Sequence, residues 1–218
     1  MTSVAPLLGD MVRIVPESGV TDGRRLRSER SRRRLVEAAI SFIEEHGKFP
    51  TAAELSEYSG IAHRSIFRLF SDLDEVRTAV IRQRADDVKP LFVVPEAGLP
   101  LDARIAELSK TRTSVHEKIT PVREVAVRHV HQSEALTELF AGGNKELRDQ
   151  VAAVFDAELK TLATSDRRLA LNTVDAALSW DFFHRLRVDQ ALSKNAVQQI
   201  IINVVTAALP AAKGRKRK

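Results

Sequence analysis

Two groups of residues in this 218-residue chain have the types and spacing to recognise another molecule. Arg24, Arg25, Arg27, Arg30, Arg32, Arg33 and Arg34 stand close together with only Glu29 opposing them, a net charge of +6. Guanidinium groups at that density suit phosphate oxygens, and the attraction falls steeply with salt. A solvated charge run has the same composition, so place in the chain must decide between the two. The second group is His63, Arg64, Ser65, Phe67 and Arg68. On one helix His63, Arg64, Ser65 and Arg68 present donors of the kind that read base edges and phosphates, with Phe67 among them as an apolar ring.

Other chemistry finds little support. There is no G-x-S-x-G elbow, no phosphate-cradling glycine loop ending in Gly-Lys-Ser/Thr and no H-E-x-x-H. The absence of cysteine excludes disulfides, thiolate metal sites and cysteine nucleophiles. His129 and His131 are two apart and diverge on a helix. His131 with Glu134, and Asp181 with His184, have i, i+3 spacing but no third ligand nearby in sequence. Neither an enzyme, nor a bound metal, nor a cofactor is expected.

The elements that would position the polar residues can be read from period and capping. Leu35, Ala38, Ala39, Phe42 and Ile43 recur as one apolar helical face that ends at Gly47. Thr51 with Glu54 forms a capping box, so a helix starts at Ala52, and Gly60 supplies the left-handed residue that a sharp turn needs. A further helix starts near His63 and directs Ile66, Leu69 and Phe70 inward, leaving His63, Arg64, Ser65 and Arg68 outward. Asp72 and Glu75 open another, extending to about Val88. Three short helices of this kind enclose a small core. They are the geometry of a helix-turn-helix reader of DNA, and an ordinary helical corner has the same local pattern.

The order RRRLVEAAISFIEEHGKFPTAAELSEYSGIAHRSIFRLFSDLDEV resembles the N-terminal domain of Tet-repressor-like regulators. The shared features are a helix with paired alanines, a glycine, a threonine-led helix, a glycine turn, an aromatic-containing recognition helix and an acidic helix start, over roughly residues 30–80. The resemblance implies an all-α chain in which a three-helix DNA-binding domain precedes a helical ligand-binding and dimerisation domain. It also implies base-edge contacts by His63, Arg64 and Ser65, and phosphate contacts by Arg68, Thr51 and the arm residues Arg24, Arg25, Arg27 and Arg30. Phe67 replaces the family's phosphate-bonding tyrosine, Ala62 a capping hydroxyl residue and Leu73 a phosphate-contacting lysine, so this head depends more on its arginines.

The rest of the chain fits an all-α protein. Hydrophobic residues make up 44%, aromatics only 5%, and alanine, leucine and valine recur at helical spacing. Residues 1–23 read as a mobile tail, 24–88 as arm, DNA-binding head and connecting helix, 89–210 as the second domain and 211–218 as a basic tail. Later helices are expected at about 102–118, 122–131, 133–141, 144–163, 166–188 and 193–209, with breaks at Pro121, at Gly142–Gly143 and at the Leu192–Ser193 corner. The helices at 166–188 and 193–209 are apolar over so much of their surface that each needs two neighbours, most simply from a second copy of the chain.

By resemblance, the second domain holds a small apolar ligand, with Phe140, Phe155, Trp180 and Phe183 as lining and Asn172, Asp175 or Asp181 as polar anchors; core packing competes for each aromatic. No segment is apolar enough for a membrane span, and a cytoplasmic site is expected. The sequence therefore points to a homodimeric regulator on a palindromic DNA operator, a repressor released by a small effector. An architectural DNA-binding protein, and less so a helical enzyme with a vestigial head, are the alternatives.

Overall fold

The structure, a computed structural model, describes residues 22–210, the side chains of Asp22 and Arg24 excepted. The tails expected at 1–21 and 211–218 lie outside the described residues. Asp22 and Gly23, expected in the first tail, instead begin a helix. The described residues form helices joined by turns and short linkers, with no strand, as the sequence predicts.

The chain divides into two compact units, with the division in sequence between Val80 and Ile81. In the first, α1 (Asp22–His46), α2 (Ala52–Ser59) and α3 (His63–Leu69) are followed by the start of α4 (Leu73–Val88). Helix α1 ends where expected, because Gly47 takes φ +64. Leu35, Ala39 and Ile43 of α1, Leu55 of α2, Ile66 of α3, Phe70, and Val76 and Val80 of α4 are all buried. Each helix gives one apolar stripe to this core, which leaves its other face for solvent or a partner.

In the second unit, a 3-10 turn at Lys89–Leu91 and an extended stretch lead to α5 (Leu101–Val127). Then come α6 (Glu134–Val154), α7 (Asp156–Leu159), α8 (Thr164–Ala177), α9 (Trp180–His184) and α10 (Lys194–Ala208). A 3-10 turn at Val130–Gln132 separates α5 from α6, and a π-helical turn follows α9 at Arg185–Asp189. Helix α10 packs on α5 and α8. Ile105, Leu108, Val151, Phe155, Val174, Phe183, Val197, Ile201 and Val205 are the centre of this core.

Two expected breaks and one expected continuous helix are corrected. Helix α5 runs through Pro121, which is exposed, although a proline inside a helix costs about 3 kcal/mol. Val115 before it and Val122, Val125 and Ala126 after it are buried on one face, and continuity of that face offsets the lost bond. The preceding turn is also pinned, since Thr120 Oγ1 donates to the His116 carbonyl at 2.7 Å and accepts from Trp180 Nε1 at 3.0 Å. Helix α6 likewise continues through the exposed Gly142 and Gly143, and ends instead at Phe155, which is fully buried. The helix expected at 166–188 is broken at Leu178–Ser179, where Ser179 caps α9 by accepting from Phe182 N at 3.2 Å.

Candidate nucleic-acid interface

The helix-turn-helix is built from short-range bonds that the sequence spells out. Glu54 N donates to Thr51 Oγ1 at 3.3 Å and Thr51 N donates to Glu54 Oε2 at 2.8 Å, completing the capping box. Lys48 Nζ adds a bond to Glu54 Oε1 at 2.5 Å. That bond, followed by those from Thr51, draws the Glu54 carboxyl down from 4.5 to about 2. Helix α2 then stops at Gly60, with φ 68 and ψ 13. Two serines hold the turn: Ser56 Oγ donates to the Ile61 carbonyl at 2.8 Å, and Ile61 N donates to Ser59 Oγ at 3.2 Å. Ala62 stands at the N-cap of α3 without a side-chain bond, as its lack of a hydroxyl requires.

Helix α3 divides its residues sharply. Ile66 is fully buried and Leu69 half-buried, while His63, Arg64, Phe67 and Arg68 are exposed and Ser65 is half-buried. Neither Arg64 nor Arg68 has a hydrogen bond or ion pair among the described residues. Phe67 is 43% exposed, and its ring lies 5.1 Å from the His63 ring between centroids. An outward face of two free guanidiniums, an imidazole and an unpacked phenyl ring is unlike a core surface. It offers donors for base edges and phosphates and an apolar edge for a thymine methyl.

The helix is held from behind by Arg32, whose part could not be told from the sequence. Its guanidinium stacks 3.9 Å from the Phe70 ring centroid, donates to the Leu69 carbonyl at 2.6 Å and pairs with Glu75 at 2.5 Å. It thus ties α1 to the C-terminal end of α3 and to the first turn of α4. The bond from Ser71 N, with Arg32 as a further contributor, holds the Glu75 carboxyl below its usual range. Burial of aromatic Phe70 with an arginine on its face is the signal that could have been sought.

The other arginines of the run lie in α1 itself, so this stretch is helical and not an extended arm. Arg25 pairs with Glu29 at 3.1 Å, and Arg27 Nε donates to the Gly23 carbonyl at 3.0 Å. Arg27, Arg30 and Arg34 share one stripe, opposite the Leu35–Ile43 face that enters the core. The Arg24 side chain is outside what is described.

The aromatics expected to line a cavity differ in burial. Phe155 and Phe183 are fully buried and Trp180 nearly so, all within the packed core. Phe140 is half-buried under the Arg123 guanidinium, 4.8 Å from its centroid. Asn172 and Asp175 both bind Arg148, at 2.5 Å and 3.0 Å, and Asp181 is exposed. Asn172 also edges a shallow cleft of ≈ 350 Å³ with Thr173, Ala176, Phe182 and Val204. Aromatic type and period located burial in this unit, not vacancy.

No family model matches the chain, and no curated protein matches it. Solved structures do. A tetR-family transcriptional regulator from Streptomyces coelicolor superposes with TM-score 0.67 at 15% identity, over 83% of this chain and 80% of the other. The chain has the Tet-repressor-family fold. A transcriptional regulator from Rhodococcus sp. Rha1 gives TM-score 0.66 at 15% identity, over 82% of this chain and 95% of that one. The multidrug binding protein EbrR, complexed with imidazole, gives 0.60 at 14%, over 85% and 98%. The likeness therefore spans both units of this Tet-repressor-like chain and is not confined to the residues 30–80 that carry the sequence resemblance.

Proposed function

We propose that the chain is a cytoplasmic, homodimeric, sequence-specific DNA-binding transcriptional regulator, a repressor released from a palindromic operator by a small molecule held in its second unit. The observation that carries this reading is the outward face of α3: Arg64 and Arg68 unpaired beside exposed His63 and Phe67, on a helix fixed by Arg32. In the major groove Arg64, His63 and Ser65 meet base edges, Phe67 meets a thymine methyl, and Arg68 and Thr51 meet phosphates. The Arg27–Arg30–Arg34 stripe adds salt-sensitive affinity.

Two copies are supported by apolar surface on the last long helices. Leu169 is 68% exposed on α8, and Ala176 and Val204 edge the shallow cleft between α8 and α10. A four-helix contact between α8 and α10 of two chains covers these residues and spaces two heads for successive major grooves, about 34–36 Å apart. Regulators of the same fold, one of them a multidrug binding protein, support the effector.

Footprinting on genomic fragments, followed by titration of Arg64→Ala, tests the reading. The expected result is a discrete palindromic footprint, from which the variant loses about 1–3 kcal/mol while its nonspecific binding stays nearly constant. An equal loss on all sequences would support the architectural alternative.

A further inference from the structure

Helix α5 carries two arginines that burial should penalise equally, and only one of them has its counter-charge. Arg104, 5% exposed, forms a two-pronged pair with Glu158, its Nη1 and Nη2 at 3.0 and 2.5 Å from the carboxylate oxygens. Arg112, two turns on and 1% exposed, has no such partner. Its Nη2 donates to the Leu147 carbonyl at 3.0 Å and to Gln150 Oε1 at 2.7 Å, both neutral acceptors. Among the described residues its Nε and Nη1 have no hydrogen-bond partner, and the guanidinium carbon lies 5.8 Å from the Phe92 ring centroid. Asp175, which attracts it from a distance, is engaged by Arg148 at 3.0 Å. Burial lowers Arg112 only to about 10, so it stays charged at neutral pH. A buried guanidinium with two unmade bonds and no contacting anion is costly, and buried polar atoms of this kind are rarely left so.

The same face of α5 carries two more orphaned atoms. Ser109, one turn before Arg112, is fully buried, and its hydroxyl is unpartnered. His116, one turn after, is 2% exposed, and its Nδ1 is unpartnered. The state of this imidazole is decided by its neighbours. Burial holds His116 neutral, at about 3, and its Nε2 lies 3.0 Å from the Leu178 carbonyl, which can only accept. Nε2 therefore carries the proton, and Nδ1 is a bare acceptor that requires a donor. The Phe183 ring, 5.5 Å away, fixes the orientation of the imidazole. Over about 10 Å of helix the chain thus presents, in order, a hydroxyl, a cationic fork lacking its anion, and an acceptor lacking its donor.

We propose that this face of α5 binds a small hydroxylated carboxylic acid, its carboxylate on Arg112 and Ser109 and its hydroxyl donating to His116 Nδ1. The proposal rests on the effector reading above and gives that effector a chemical class. It adds to the aromatic lining expected from the sequence a polar anchor between α5, α6 and α8.

The test uses the full chain without DNA and three probes: 3-hydroxybenzoate, benzoate and the neutral 3-hydroxybenzamide, read by calorimetry and by melting temperature. 3-Hydroxybenzoate, whose hydroxyl cannot reach its own carboxylate, should bind about tenfold more tightly than benzoate, and the amide should not bind. Arg112→Met should abolish binding while leaving the ligand-free melting temperature unchanged or higher, because it removes an uncompensated charge. Arg104→Met, which strands Glu158, should lower it. His116→Phe should reduce 3-hydroxybenzoate to the affinity of benzoate. The proposal is overturned if no acid binds, if the amide binds as well as the acid, or if Arg112→Met destabilises the free protein as Arg104→Met does. The last result would make Arg112 a structural group and leave trapped water on the orphaned atoms. A separate DNA titration distinguishes the two readings: acid binding that leaves DNA affinity unchanged keeps the site and removes its role as effector. Loss of operator recognition with acid binding intact removes the regulator.

Discussion

Arg32 and Arg64 are both arginines in basic surroundings, and their environments give them different work. Arg32 is committed to Phe70, Leu69 and Glu75, so Arg32→Met should cost about 1–2 kcal/mol in urea denaturation, the exposed half of the guanidinium being screened. It should also weaken specific DNA binding by loosening α3, whereas Arg64→Ala should leave stability unchanged. Glu54 contributes through its depressed carboxyl, which is deprotonated in the folded chain down to about 2 and in the unfolded chain only above about 4.5. Its stabilisation is therefore complete above pH 4.5 and is lost as pH falls from there toward 2. Thermal melts across that window should show a steeper decline for the natural chain than for Glu54→Gln; equal slopes would mean the capping carboxylate contributes nothing.

At the level of elements, local sequence and tertiary packing compete, and the outcome depends on which residues flank the weak point. Gly142 and Gly143 look like a break, yet α6 runs through them, with Leu136 buried before them and Val151 and Val154 buried after them. A Cβ at either glycine would meet nothing within 4 Å, and neither has a positive φ. Gly142→Ala and Gly143→Ala should each therefore raise stability by roughly 0.5–1 kcal/mol, measured by denaturant midpoint at constant m. Loss of stability in either variant would mean that this stretch is not a continuous helix. The break at Leu178–Ser179 has the opposite origin. Ser179 offers α9 a cap, and the turn turns the Leu178 carbonyl toward His116.

For the whole molecule, the decisive question is what covers the outer faces of α8 and α10. Leu169→Glu places a charge at a residue 68% exposed in the single chain, where it should not disturb folding. In the proposed homodimer the same charge is desolvated, so sedimentation should show the variant shifted toward monomer with its helical circular dichroism retained. An unchanged dimer would place the contact elsewhere. The monomeric variant should also lose most of its operator affinity, because a single head gives up the gain from holding two heads at one site.

The helix-turn-helix was legible because everything that specifies it is local. Thr51 and Glu54 are one turn apart, Gly60 fixes its own backbone, and the period of Ile66, Leu69 and Phe70 sets which face turns inward. The all-α class followed from the same periodicity. What only the tertiary structure decided depends on residues distant in the chain. Arg32 became a clamp on α3 through the Leu69 carbonyl, 37 positions away, and Arg104 found its anion at Glu158, 54 positions away. Arg112, on the same helix and identical in type, found none. Composition and spacing cannot tell these arginines apart, because a buried charge takes its character from the groups that the fold brings to it.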